Sequence, residues 1–159
     1  MSDRMNKSGA TDPNQPVLVS ACLLGVHCRY DGSTNPCPEL AEKIGNRPVI
    51  PICPEEFGGL STPRPAAECC GGTGADVIAG KAKILVKESG KDVTEQFLCG
   101  AEEALRLARE FGANAALLKS KSPSCGCGKV YREGQLVDGD GVTAALLKRE
   151  GIAVEAIDA

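Results

Sequence analysis

The chain has 159 residues and a net charge of −3, with 42% hydrophobic and 25% charged residues. That length suits one domain able to bury a core. The charge balance offers no basic surface to a nucleic-acid polymer or an anionic membrane, and no run approaches the roughly 18 apolar residues of a membrane span. The polar stretch 1–15 has no apolar signal segment. It is expected to be a disordered tail ahead of a single domain over 16–159, in the cytoplasm.

Val17 to Ala21 is a short apolar, β-branched run and predicts a buried strand. A turn follows at Asp31-Gly32. Pro38 to Ile44 predicts a short helix, with proline at its start and Gly45 past its end. Arg47 to Ile52 predicts a second strand, although its two prolines cannot donate to a ladder. From Cys53 through Gly74 the glycines and prolines predict a long loop, and loops of that length are usually functional. Gly71 to Gly74 lacks the Lys-Ser/Thr of a phosphate loop. Val77 to Lys87 alternates around Gly80 and predicts a hairpin, or a strand with a turn. Asp92 to Phe111 is the clearest helix. Asp92 can cap it and Glu95 can close a capping box. Phe97, Ala101, Ala104, Leu105, Ala108 and Phe111 fall on one apolar face, and Gly112 stops the helix. Ala115 to Leu118 predicts a buried strand and Lys119 to Gly128 a polar turn segment. Val130 to Val137 predicts a hairpin, Val142 to Arg149 a short helix, and Ile152 to Ile157 a last strand. Strands separated by helices point to an α/β fold with a mostly parallel sheet and right-handed crossovers.

Nine cysteines and a single histidine, His27, define the chemistry available. Without a secretion signal a disulfide framework is not expected, and an odd count leaves one cysteine over. Cys22 directly follows the first strand and Cys53 the second. Cys125 comes shortly after the Ala115 to Leu118 strand. Parallel strands end on the same side of a sheet, where the ligand crevice of open α/β folds lies. Three thiols distant in sequence therefore converge on one rim. Zinc modules bring cysteines in C-x2-C-like pairs, and the nearest pairs here are Cys69-Cys70 and Cys125-x-Cys127. Iron–sulfur ligands need not be paired. The residues leave open a metal or cluster site, reactive thiols without metal, or buried inert cysteines.

Cys28 is a fourth candidate that could ligate, relay or merely pack. Cys37, Cys69, Cys70, Cys99 and Cys127 are weaker. Cys99 reads as a small core residue of the long helix, and the neighbours Cys69 and Cys70 should face opposite ways in extended backbone. Glu55, two residues after Cys53, is the candidate proton donor or acceptor; the alternative is a solvated surface glutamate. One of Ser120, Ser122 and Ser124 could hold a substrate oxygen or bond a cluster sulfur, or all three could cap their turn. Arg29 and Arg64 sit in loops expected to flank the rim. Each could bind a carbonyl or phosphate through its fork of donors, or lie on the surface.

Several motifs occur together and in order: Ser20-Ala-Cys-Leu-Leu-Gly25, Cys28-Arg-Tyr-Asp-Gly32, Cys53-Pro-Glu55, Gly58-Gly59, Thr62-Pro-Arg64, Lys121-Ser-Pro-Ser-Cys-Gly126 and Asp140-Gly-Val-Thr-Ala-Ala145. Together, from Val17 to the C-terminus, they resemble the thiouracil desulfidase family. The resemblance implies a Rossmann-like, three-layer α/β domain with an oxygen-sensitive 4Fe–4S cluster on Cys22, Cys53 and Cys125. It implies an open iron that takes the sulfur of a small thiolated pyrimidine, whether base, nucleoside or nucleotide. That sulfur leaves as sulfide and is replaced by oxygen from water without net redox change. Glu55 becomes the acid–base group and Ser122 the catalytic serine, with Ser120 and Ser124 as competitors. An iron–sulfur assembly machinery is the implied partner that supplies the cluster. Two rival readings are a structural or sensing module with four cysteine ligands, Cys28 among them, and a thiol redox protein using Cys125-x-Cys127.

Overall fold

The computed structural model describes residues 14–158. The expected tail over 1–15 lies, but for its last two residues, outside the described residues. In chain order the elements are β1 (Val17–Ser20), a 3-10 turn (Ala21–Leu24), α1 (Leu40–Ile44), β2 (Val49–Ile52), α2 (Pro54–Phe57), β3 (Ala67–Cys70) and α3 (Gly74–Ile78). They continue with β4 (Lys83–Val86), α4 (Thr94–Phe111), β5 (Ala115–Lys119), β6 (Lys129–Arg132), β7 (Gln135–Asp138), α5 (Val142–Arg149) and β8 (Ala153–Ile157).

One sheet has the strand order β2-β1-β5-β8, every pairing parallel. Its central strand β1 is buried along its whole length, which explains its unbroken apolar sequence. The two sides of each strand serve different layers. Val17, Val19, Ala115 and Leu117 pack with Leu23 and with Leu40 of α1. Leu18, Ala116 and Leu118 pack with Phe97, Ala101 and Ala104 of α4 and with Leu147 of α5. Helices thus cover both faces, and this part of the molecule is a three-layer α/β arrangement. Pro51 is tolerated because β2 is an edge strand.

A second sheet, of order β4-β3-β6-β7, was not foreseen. β3 runs antiparallel to β4 and parallel to β6, and β6 and β7 form the expected hairpin. Cys69, Ile84, Val86 and Val130 of this sheet belong to the same hydrophobic cluster as Leu18 and Leu118 of the first.

The expected long loop over 53–74 is in fact interrupted by α2 and β3. Both are only four residues long, too short to show a period, and β3 is defined by partners distant in sequence. Over 77–87 the structure has no hairpin but the other arrangement expected, a turn at Gly80 and then the strand β4, with α3 ending ahead of the turn. Thr73 and Asp76 close a capping box at the start of α3. α1 begins at Leu40 rather than Pro38. α4 begins at Thr94, and no box with Glu95 forms part of its N-terminus. Asp92 Oδ1 accepts the Thr94 N–H at 2.9 Å, while Thr94 Oγ1 accepts the Ile84 N–H of β4. Phe111 leaves the apolar face: it is 59% exposed at the last turn. Among the described residues no helix is long and apolar enough to cross a membrane.

Candidate functional site

The chain runs from β1 to β2 on one side, then returns past β1 to β5 and β8 on the other. The carboxyl ends of β1 and β5 therefore flank a topological switch point, where α/β sheets open a crevice. A cavity of about 410 Å³ lies there. Its wall includes Cys22, Cys53 and Cys125, together with Cys28, Glu55 and Ser122. Cys22 sits in the 3-10 turn that follows β1, which Gly25 closes at φ +98°. Cys53 follows β2 directly and precedes Pro54, the first residue of α2. Cys125 ends the serine turn beyond β5.

That serine turn is held from within and from behind. Ser122 Oγ accepts the N–H groups of Ser124 (3.0 Å) and Cys125 (2.7 Å). With two N–H donors on its oxygen, Ser122 keeps one proton to give, and Ser124 Oγ stands 3.1 Å away. Ser124 Oγ in turn donates to Glu55 Oε2 at 3.1 Å. From behind, the first amides of α5 cap the turn: Val142 N–H bonds Pro123 O and Thr143 N–H bonds Ser124 O, both at 2.8 Å. Gly141 permits this close approach, since a Cβ there would lie 2.6 Å from the Ser124 carbonyl. The Asp140-Gly-Val-Thr motif thus acts as the backstop of the serine turn. Ser120 lies on the cavity wall and bonds Asp158. The turn-capping and functional readings therefore both apply to Ser122, whereas Ser124 is the serine that touches Glu55.

Glu55 is not a solvated surface residue. Arg64 Nε donates to its Oε1 at 2.8 Å, and the two side chains are 5% and 15% exposed, arginine first. The rest of the guanidinium bonds Thr62 Oγ1 (2.8 Å), Ser61 O (3.2 Å) and Cys28 O (2.9 Å). Arg64 is therefore a clamp that ties the Glu55 carboxylate to the Cys28 loop. Arg29 lines the cavity with its guanidinium 5.8 Å from the Tyr30 ring centroid.

The thiols differ in their electrostatics. The Cys22 thiol is pulled down to about 7, first by the hydrogen bond from Cys28 and then by the charges of Lys119 and Arg29, against burial. Cys53 is also lowered, chiefly by Cys28, with Arg64 adding to the effect. Cys28 is pushed up by those same two partners and by burial. Burial raises Cys125 to about 12, although the Ser20 and Ser124 hydroxyls oppose it. Lys119, half-buried at the end of β5, is lowered by burial and by Arg29. The donors are soft, two are biased toward thiolate, and cations stand beside them. They are spread round a cavity: among the described residues no three or more His, Cys, Asp or Glu side chains close on a point as the ligands of one ion would. A thiolate-ligated cluster fits such a donor set.

Sequence reasoning left Cys28 undecided and passed over Ser20 and Lys119, which flank the ends of β1 and β5. Ser20 Oγ accepts the Lys119 N–H at 2.9 Å and so ties those strand ends together. Cys99 is exposed, contrary to its reading as a core residue. Cys69 is buried and Cys70 half-buried, on opposite sides of β3. Cys37 and Cys127 are also half-buried.

Residues 17–158 match the model of a family described as 2-thiouracil desulfurase. The chain is 48% identical over 141 residues to "Uncharacterized protein YbbK" of Bacillus subtilis (strain 168), covering 87% of this chain and 93% of that protein. Among solved structures it is similar to the 4Fe–4S-dependent thiouracil desulfidase TudS. The TM-score is 0.75 at 41% identity, with 90% of this chain and 91% of that chain covered.

Proposed function

Because this chain belongs to the 2-thiouracil desulfurase family, we propose that it desulfurates thiouracil or a close thiopyrimidine at a 4Fe–4S cluster held by Cys22, Cys53 and Cys125. The observation that carries the reading is the meeting of three thiols from three strand ends on one cavity, beside a clamped carboxylate. The solved relative is itself 4Fe–4S-dependent. The overall change is non-redox: the thiocarbonyl and water give the carbonyl and hydrogen sulfide.

When bound, the cluster supplies a soft Lewis acid, open at one position, to draw the thiocarbonyl sulfur and weaken its bond to carbon. The remaining tasks fall to the chain. Glu55 takes the proton of the attacking water at Oε2, the oxygen that faces Ser124. Arg64 keeps that carboxylate in one orientation. Ser122, with its acceptor sites filled, donates its proton to the departing sulfur and regains one from Glu55 through Ser124. Lys119 and Arg29 offset the negative charge gathered on the thiolates. An iron–sulfur assembly machinery is the partner that loads the site.

Anaerobic reconstitution tests the proposal. The protein should bind about four irons and four sulfides per chain and release sulfide from a panel of thiolated bases, nucleosides and nucleotides. Cys53→Ala should lose the iron, and Glu55→Gln should keep the iron and lose turnover. Full sulfide release by Glu55→Gln would remove Glu55 from the base role. One observation favours a second reading: Cys22, Cys28 and Cys53 line one cavity, an arrangement that suits dithiol exchange. Exchange activity in metal-free protein, with no sulfide release from loaded protein, would support that reading instead.

A further inference from the structure

We propose that Tyr131, which the second sheet brings to the cavity, is a specificity-determining residue: its ring is the wall on which the flat pyrimidine ring of the substrate stacks. The inference rests on the function proposed above and assigns the part of the cavity that the three cysteines do not form. Cys22, Cys53 and Cys125 reach the cavity from the strand ends of the first sheet. Ala67 and Glu68 of β3, Lys87 just past β4 and Tyr131 of β6 reach it from the second. The chain has no tryptophan and only two tyrosines, and both line this cavity. Tyr30 has the Arg29 guanidinium 5.8 Å from its ring centroid. Tyr131 is the aromatic that the second sheet contributes.

Side chains alternate across a strand. In β6, Val130 is fully buried in the core, whereas Tyr131 is 45% exposed, as is its β7 partner Leu136 at 42%. The core face takes Val130 and leaves Tyr131 to the cavity. The strand that carries it is pinned at both ends. At its start, Lys121 of the serine turn bridges Val130 in parallel register. The residues that follow on the two segments, Ser122 and Tyr131, both line the cavity. At its far end, the Glu133 N–H bonds Cys69 O at 3.2 Å and the Gly134 N–H bonds Glu68 Oε1 at 2.9 Å. Glu133 Oε2 accepts the Gly71 N–H at 2.9 Å. A ring on so fixed a strand, with only two side-chain torsions of its own, costs little to order against a ligand. A thiopyrimidine is planar and presents a π face, which stacks well on an aromatic side chain. A saturated ring is puckered, has no such face, and gains little from the same wall.

The test compares wild type with Tyr131→Ala, Tyr131→Leu and Tyr131→Phe, each reconstituted anaerobically and assayed for iron. Two readouts follow. One is KM and kcat for 2-thiouracil and for its ring-saturated dihydro analogue. The other is the dissociation constant of radiolabelled uracil by equilibrium dialysis, which needs no turnover. All variants should carry wild-type iron. Tyr131→Ala and Tyr131→Leu should raise the KM for thiouracil and the dissociation constant of uracil about tenfold, with kcat near wild type. Tyr131→Phe should stay near wild type in both, and the KM for the dihydro analogue should move little in any variant. Unchanged uracil affinity in the alanine and leucine proteins would overturn the proposal, as would an equal KM loss for thiouracil and its dihydro analogue. A loss as large in Tyr131→Phe would give the effect to the hydroxyl and overturn the stacking role. Loss of iron from a folded variant would overturn it too, by making Tyr131 a support of the cluster side. Should Tyr131→Ala fail to fold, by circular dichroism, Tyr131→Leu decides. A wild type that binds no cluster or releases no sulfide marks failure of the proposed function itself, while the uracil dialysis still reads the wall.

Discussion

Ser122 and Ser124 sit two residues apart, yet their hydroxyls have different jobs. Ser122 accepts two amides of its own turn, whereas Ser124 joins Ser122 to Glu55. Ser122→Ala leaves two amides without their acceptor, and such losses cost about 1–3 kcal/mol where the groups are buried. Chemical denaturation should therefore show Ser122→Ala less stable than Ser124→Ala. Labelling of metal-free protein with iodoacetamide should separate the remaining cysteines. Exposed Cys99 should react readily, and buried Cys69 should not. Burial raises Cys69 from its ordinary 9.0 to about 12. The sign follows from the folded state preferring the neutral thiol: that preference is fully present below pH 9 and is lost as pH rises from 9 toward 12. Cys69→Ala should flatten the decline in stability over that alkaline range. The three-serine motif is visible in the sequence, but the division of labour within it is not. Hydroxyl directions depend on Glu55, 69 positions away from Ser124.

At the scale of elements, the site depends on how α2 crosses α4. Two glycines make the crossing close. A Cβ on Gly100 of α4 would collide with the Pro54 carbonyl oxygen, and one on Gly58 with the Gln96 carbonyl oxygen. Both collisions are with backbone, so neither is relieved by a side-chain rotation. Gly100→Ala should force α2 outward and carry Cys53 and Glu55 with it. Overpacking of this kind typically costs about 1–3 kcal/mol, to be measured by denaturation. Iron uptake should fall in the same variant, because Cys53 adjoins the displaced turn. The 18-residue helix α4 was legible because its apolar period repeats over several turns. α2, α3 and β3 were not, since four or five residues cannot display a period and tertiary partners complete them.

At the scale of the molecule, the core is made by the chain's own side chains. Phe97, 1% exposed, belongs to the cluster that joins both sheets. Phe97→Ala should cost about 3–5 kcal/mol, seen as a lower denaturant midpoint. The site lies at the rim, so stripping iron with a chelator should leave the far-ultraviolet circular dichroism unchanged. The melting temperature should drop nonetheless, because a ligand that binds only the folded state stabilises it. The amino-acid sequence by itself determined the buried central strands, the long amphipathic helix and the placing of Cys22, Cys53 and Cys125 just past strand ends. These are local facts of period and spacing, and parallel strand direction carries them to a common rim. Only the tertiary structure decided that a second sheet closes the core, that Arg64 clamps Glu55, that α5 backs the serine turn, and that Cys28 shares one cavity with Cys22, Cys53 and Cys125. Those relations join residues tens of positions apart through side-chain direction and close backbone approach, which no window along the chain contains.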